Sequence, residues 1–252
     1  MGKVVIITGA AGQLGSQVAR RFGAAGAKVV ISDITEAQEG AEKLASEINK
    51  GGGQCFACKA DVRSNEELNR MVVETVRRWD RIDIVVNAAG GSLAALAEGK
   101  NKLLLEYTDE EWDIVVDTNL KGTFNCLRAV APQMIKQREG HIILISSGQG
   151  IRPGPLVSIY AAAKAGVFGL MKAAARELGD YNIKVNAVNP GLIPRKSFTS
   201  AGFPSDFIAS YAKETALGRL STPEDFADFV FYLSQTKNIS GQTFNVDSRI
   251  LF

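Results

Sequence analysis

Short apolar runs alternate along the chain with longer stretches in which apolar positions recur every three or four residues. Lys3–Thr8, Lys28–Asp33, Gln54–Lys59, Ile82–Asn87, His141–Ser146, Ile183–Asn189 and Thr243–Val246 have the length and composition of seven strands. Between them Leu14–Ala24, Glu36–Lys50, Ser64–Trp79, Asp109–Gln137, Ser158–Asp180 and Pro223–Ser234 carry the helical period. Start signals support three of these helices: Ser64 with Glu67, Thr108 with Glu111, and Thr222 followed by Pro223. Strands this apolar, separated by helices, must be covered on both faces. The pattern predicts an α/β fold with a doubly wound parallel sheet, in one domain over residues 1–252.

Composition narrows the function classes. The 252 residues are 46% hydrophobic and 22% charged, with a net charge of +2. No basic run tracks phosphates, so nucleic acid is not an expected partner. No uncharged apolar stretch reaches the roughly 18 residues of a membrane span. Met1 to Thr8 has no signal-peptide pattern, and the expected compartment is the cytoplasm. Three cysteines, an odd number, argue against a disulfide framework. Cys55 and Cys58 lie three apart on a strand and point to opposite faces, so they do not share a metal. With one histidine, His141, a multi-histidine metal site is excluded.

Chemistry-bearing residues cluster after the strands. The turn Thr8-Gly9-Ala10-Ala11-Gly12-Gln13-Leu14-Gly15 follows strand one and opens a helix, a place where backbone can approach a pyrophosphate. Asp33 ends strand two, where a carboxylate accepts hydrogen bonds from ribose hydroxyls and repels a 2′-phosphate. Gly12, Gln13 and Ile34 offer no phosphate clamp, and the cofactor reads as NAD. Asp61 and Val62 close strand three at the adenine position, and Asn87-Ala88-Ala89-Gly90 closes strand four. Tyr160 and Lys164 stand one helical turn apart on one face. An ammonium at about 4 Å supplies roughly 4 kcal/mol at an effective dielectric near 20, the size needed to bring a phenol toward neutral pH.

Ser147, thirteen residues before Tyr160, joins Asn119 in Asn-Leu-Lys-Gly-Thr-Phe and Asn189-Pro190-Gly191. With the glycine turn and Asn-Ala-Ala-Gly, these motifs resemble the short-chain dehydrogenase/reductase family, in its compact branch of 3-oxoacyl-carrier reductase type, from Lys3 to about Asp247. The resemblance implies a tetrad. Tyr160 is the acid/base, Lys164 lowers its pKa and holds the nicotinamide ribose, Ser147 binds the substrate oxygen, and Asn119 holds a relay water. It further implies NAD(H)-dependent interconversion of a secondary alcohol and a ketone, cofactor contacts at Pro190 and Ile193, and a homotetramer. Two other readings stay open: a non-redox epimerase or dehydratase using NAD, and an NAD-sensing binding protein.

Three departures from the family pattern stand out. Gln13 occupies the place of a middle glycine, a spacing shared with the longer epimerase-like branch, which needs a C-terminal substrate domain that this chain has no room for. Arg195 takes the place of a threonine. Ser248 and Arg249 replace the glycines of Val-Asp-Gly-Gly, where they alter the tetramer contact. Two loops, Gly91–Tyr107 and Leu192–Ser221, flank the site. Leu93, Leu96, Leu103, Leu104 and Leu105 in the first wall an apolar pocket or pack on the protein's own surface. Arg152, Arg195 and Lys196 meet an anionic group or stay solvated, and Phe198 and Phe203, with Gly202 as a hinge, close over substrate.

Overall fold

The computed structural model describes residues 2–92, 96, 101–194 and 206–249. Its centre is a seven-stranded, wholly parallel sheet of β1 (Val4–Thr8), β2 (Lys28–Asp33), β3 (Gln54–Lys59), β4 (Ile84–Asn87), β5 (Gly140–Ile145), β6 (Ile183–Pro190) and β7 (Thr243–Val246). The strands lie in the order β3-β2-β1-β4-β5-β6-β7. The order reverses between β1 and β4, which opens a crevice beyond their carboxyl ends, the place where ligands bind in such sheets.

The two-residue period of the strands divides the core. Val5, Ile7, Val29, Ile31, Val86 and Ile143 face α1 (Gln13–Ala24), α2 (Gln38–Lys50) and α8 (Pro223–Gln235). Ile6, Val30, Phe56, Val85, Ile142 and Leu144 face α3 (Asn65–Trp79), α5 (Gly122–Gln137) and α6 (Ser158–Gly179). Cys55 packs into the first cluster and Cys58 into the second, on opposite faces as the strand period requires. Burial pushes the Cys55 thiol up to about 12 and raises that of Cys58, which leaves both unreactive.

Caps set the helix starts. Thr108 and Thr222 each form a reciprocal box, with Glu111 and Asp225. Ser64 accepts the Glu67 amide, but the Glu67 carboxylate turns instead to the amide of Asp61. The stretch expected as one helix over Asp109–Gln137 is broken. After α4 (Asp109–Val116) the chain makes a π-helical segment at Asp117–Lys121 before α5 begins. The helical period of the side chains is nearly unchanged by such a bulge, so sequence pattern does not register it. A short helix absent from the sequence reading, α7 (Phe207–Lys213), lies in the loop after β6. Among the described residues no helix is long and apolar enough to cross a membrane.

Candidate active site

The crevice beyond β1 and β4 is a cleft of about 770 Å³. Gly9, Gly12, Gln13, Leu14, Asp33, Asp61, Val62, Ala88 and Gly90, all singled out from sequence, line it. Gly9 has a φ of 65°, and a Cβ there would sit 2.7 Å from the backbone of Ala89. Only glycine lets the turn and the end of β4 approach this closely. The cleft thus fits a dinucleotide: a glycine turn faces the N-terminus of α1, and a carboxylate ends β2.

Asp33 accepts the Ala11 amide through Oδ2 at 2.8 Å and the Ile34 amide through Oδ1 at 2.9 Å. These bonds hold the carboxylate beside the turn while each oxygen keeps a further lone pair. Arg63 is a lining residue that sequence reasoning missed. It grips Asp61 through two nitrogens, at 2.7 and 3.0 Å. Burial alone would raise the Asp61 pKa, but the hydrogen bonds from the Arg63 side chain and amide carry it below the usual carboxylate range. The adjacency of Asp61 and Arg63 in sequence was the available signal. Among the described lining residues Arg63 is the one guanidinium, and a carboxylate already occupies it.

Asn87 and Ile193, both expected at the cofactor, have side chains that are buried in the protein. Asn87 donates to Thr8 Oγ1 at 3.1 Å and accepts from Thr123 Oγ1 at 2.9 Å, so its buried amide ties β4 to β1 and α5. Ile193 is buried in the core cluster beside α1 and α8. Pro190 ends β6, paired with Val246.

The chemical end assembles around α6. Tyr160 and Lys164 share its first turns, with Nζ 5.7 Å from the centre of the tyrosine ring. Lys164 is 4% exposed and donates to the Ile145 carbonyl at 3.0 Å. Burial lowers its pKa to about 8. An ammonium has three donors, and among the described residues one carbonyl accepts from it. Tyr160 and Leu96 both pack against the small cluster of Val115 and Ile159, and Leu96 also lines the cleft.

Ser147 leaves β5 with its Oγ accepting the Gln149 amide at 3.2 Å. Its neighbour Ser146, passed over in the sequence, is buried and donates to the Lys164 carbonyl at 2.9 Å, tying the serine strand to the lysine helix. Asn119 sits in the π-helical segment and is fully buried. Its Nδ2 donates to the carbonyls of Gly91 at 2.9 Å and Val115 at 2.8 Å, and its Oδ1 accepts the Gly91 amide at 3.1 Å. Both amide N–H groups are therefore spent on backbone, and the side chain clamps the end of the β4 loop.

The loop residues separate. Leu103, Leu104 and Leu105 are exposed, and Leu105 is 95% so. Arg152 is exposed. Leu93, Arg195, Lys196, Phe198, Gly202 and Phe203 lie outside the described residues. Arg249 turns inward: its side chain is 11% exposed.

A reversing parallel sheet with a glycine turn at its switch point, and a buried lysine one turn from a tyrosine, defines a dinucleotide-dependent oxidoreductase of the doubly wound class. The family model for short chain dehydrogenase matches residues 3–201, and the chain belongs to that family. It is 37% identical over 249 residues to the 3-oxoacyl-[acyl-carrier-protein] reductase FabG of Staphylococcus epidermidis, covering 98% of each chain. Against the enzyme of the same name from Thermotoga maritima it is 35% identical, over 99% of this chain and 98% of the other. The crystal structure of a 3-oxoacyl-[acyl-carrier protein] reductase from Brucella melitensis superposes with a TM-score of 0.89 at 34% identity, over 99% of this chain and 91% of that one.

Proposed function

We propose that the protein interconverts a secondary alcohol and a ketone with NAD(H), with Tyr160 moving the proton. The observation that carries the reading is the buried Lys164 ammonium, held on the Ile145 carbonyl one turn from Tyr160. When bound, the nicotinamide supplies or accepts the hydride. In ketone reduction the Tyr160 hydroxyl gives its proton to the carbonyl oxygen, and in oxidation the tyrosinate takes the hydroxyl proton. Lys164 stabilises the tyrosinate and offers its remaining donors to the cofactor ribose. Ser147, whose Oγ–H is not used in its bond to Gln149, donates to the same substrate oxygen and stabilises charge as it develops there. Because the Asn119 amide donors are spent, its part is to hold the Gly91 backbone, and a relay water would rest on a carbonyl oxygen.

The preference for NAD rests on Asp33, whose fixed carboxylate would meet a 2′-phosphate, and on Arg63, which Asp61 already holds. A homotetramer is the assembly we propose; the exposed Trp112 on α4 and Phe124 on α5 supply apolar surface beside the helix turn that carries Asn119. Light scattering on the eluted protein reads the copy number directly.

The decisive experiment on the chemistry is Tyr160→Phe. The expected result is a kcat lower by at least about a hundredfold with NADH affinity nearly unchanged. A variant that keeps most of its activity removes Tyr160 from the reaction. Absorbance at 340 nm during turnover of alcohols separates a dehydrogenase, which accumulates NADH, from an epimerase or dehydratase, which does not.

A further inference from the structure

The C-terminal tail reaches the catalytic loop. Arg249 forms an antiparallel bridge with Thr215, and the Ala216 amide donates to the Ser248 carbonyl at 2.8 Å, so the tail is stitched to the segment after α7. Asp247 packs on Gly191 at the end of β6. The Arg249 guanidinium lies 5.2 Å from the Tyr211 ring centre, on α7. Its Nη2 fills the space beside Gly148, where a Cβ would collide with it. Gly148 directly follows Ser147, so the guanidinium lies beside the residue next to the serine.

One donor of this cation is unsatisfied. Its Nε is buried with no hydrogen-bond partner. The Asp247 carboxylate faces that Nε at 3.9 Å, near enough to balance charge but beyond hydrogen-bond reach. Asp247 is itself only 8% exposed, and its Oδ1 takes the Arg249 amide at 3.3 Å. Burying a guanidinium nitrogen without a hydrogen-bond partner is costly, and a chain under no functional demand would place an apolar or small residue here. A planar fork of donors beside the residue that follows a catalytic serine matches a carboxylate in two-point contact.

We propose that Arg249 is the anion-recognising residue of the substrate site and takes a carboxylate carried one or two carbons from the reacting carbon. The substrate class is then a short 2- or 3-oxo acid, or the corresponding hydroxy acid. This assignment rests on the dehydrogenase reading and narrows its substrate. A purely structural role for Arg249 would lower stability and kcat for all substrates alike, whereas anion recognition moves KM for acids alone.

The test compares acetoacetate and 2-oxobutyrate with their methyl esters, using NADH and the full-length protein, for wild type, Arg249→Met and Arg249→Lys. Wild type should prefer each free acid over its ester in kcat/KM. Arg249→Met should erase that preference by raising KM for the acids at least about a hundredfold, and Arg249→Lys should restore part of it. Equal or better use of the esters by wild type overturns the proposal. Calorimetric titration of acetoacetate into the NAD-loaded protein covers a poorly folded variant or an inactive pair: binding to wild type that Arg249→Lys weakens supports it, and no binding to wild type overturns it. Turnover of neutral secondary alcohols without discrimination among acids and esters defeats this assignment alone. Arg249-dependent carboxylate binding with no turnover of any alcohol or ketone defeats the dehydrogenase reading alone.

Discussion

Gln13 donates from Nε2 to the carbonyl oxygen of Pro194 at 2.8 Å, a bond between residues 181 apart in sequence. It joins the first turn of α1, which lines the cleft, to the segment that follows β6. The residue that departs from the family's glycine thus bridges the cofactor turn and the loop on the substrate side. Removing it with Gln13→Gly should weaken NADH binding a few-fold, mainly through faster dissociation, since an exposed hydrogen bond contributes about 0.5–1.5 kcal/mol. Stopped-flow release of NADH measures this; an unchanged dissociation rate would mean that the bridge does not act on the cofactor.

Cofactor choice turns on one carboxylate. Replacing Asp33 by Ser together with Ile34→Arg should move the preference from NADH toward NADPH by at least about tenfold in kcat/KM, since a repelling charge becomes a phosphate donor. Side-by-side kinetics with the two nucleotides decide it. Should the unmodified protein already favour NADPH, the role given to Asp33 is wrong.

The loop carrying Ser147 lies directly on α6. A Cβ at Gly150 would stand 2.8 Å from the Ala165 nitrogen and the Lys164 carbonyl carbon. Both are helix backbone and cannot rotate aside. Gly150→Ala should therefore displace the serine loop, lowering stability by about 1–3 kcal/mol and kcat by more than tenfold. Urea unfolding and steady-state assays report the two effects separately.

His141 ties stability to pH. It is buried on β5, its Nε2 2.9 Å from Asn186 Nδ2, and burial lowers its pKa from 6.5 to about 4. The folded state therefore takes up a proton less readily than the unfolded state. The stabilisation is whole above about pH 6.5 and is lost as pH falls toward 4. Between pH 7 and 5 the wild type should lose about 2 kcal/mol more than His141→Gln in urea unfolding. Parallel curves for the two proteins would refute this role for the imidazole.

Sequence pattern was most informative where the local period and the tertiary demand agree. All seven strands stand within two residues of their expected ends, because buried parallel strands need continuous apolar runs and the helices between them need one apolar face. The cleft lining was legible for a related reason: glycine turns and strand-end carboxylates are local features whose use follows from their place in a strand-turn-helix unit. Asn87 shows the limit. A buried amide after a strand looks the same whether it meets a ligand or ties strands together, and the Thr8 and Thr123 hydroxyls that claim it come from distant segments.

By itself, then, the sequence determined the order and type of the elements, the parallel sheet, and the pairing of Tyr160 with Lys164, all of which depend on residues within a helical turn or a strand period of one another. Tertiary structure alone decided the rest. It broke Asp109–Gln137 with a π turn that seats Asn119 on Gly91, gave Arg63 to Asp61 at the cleft wall, and drew Arg249 inward against Gly148. The physical reason is shared: each of these is settled by contacts between segments that the fold brings together, and, except for Arg63, those contacts join residues far apart in sequence.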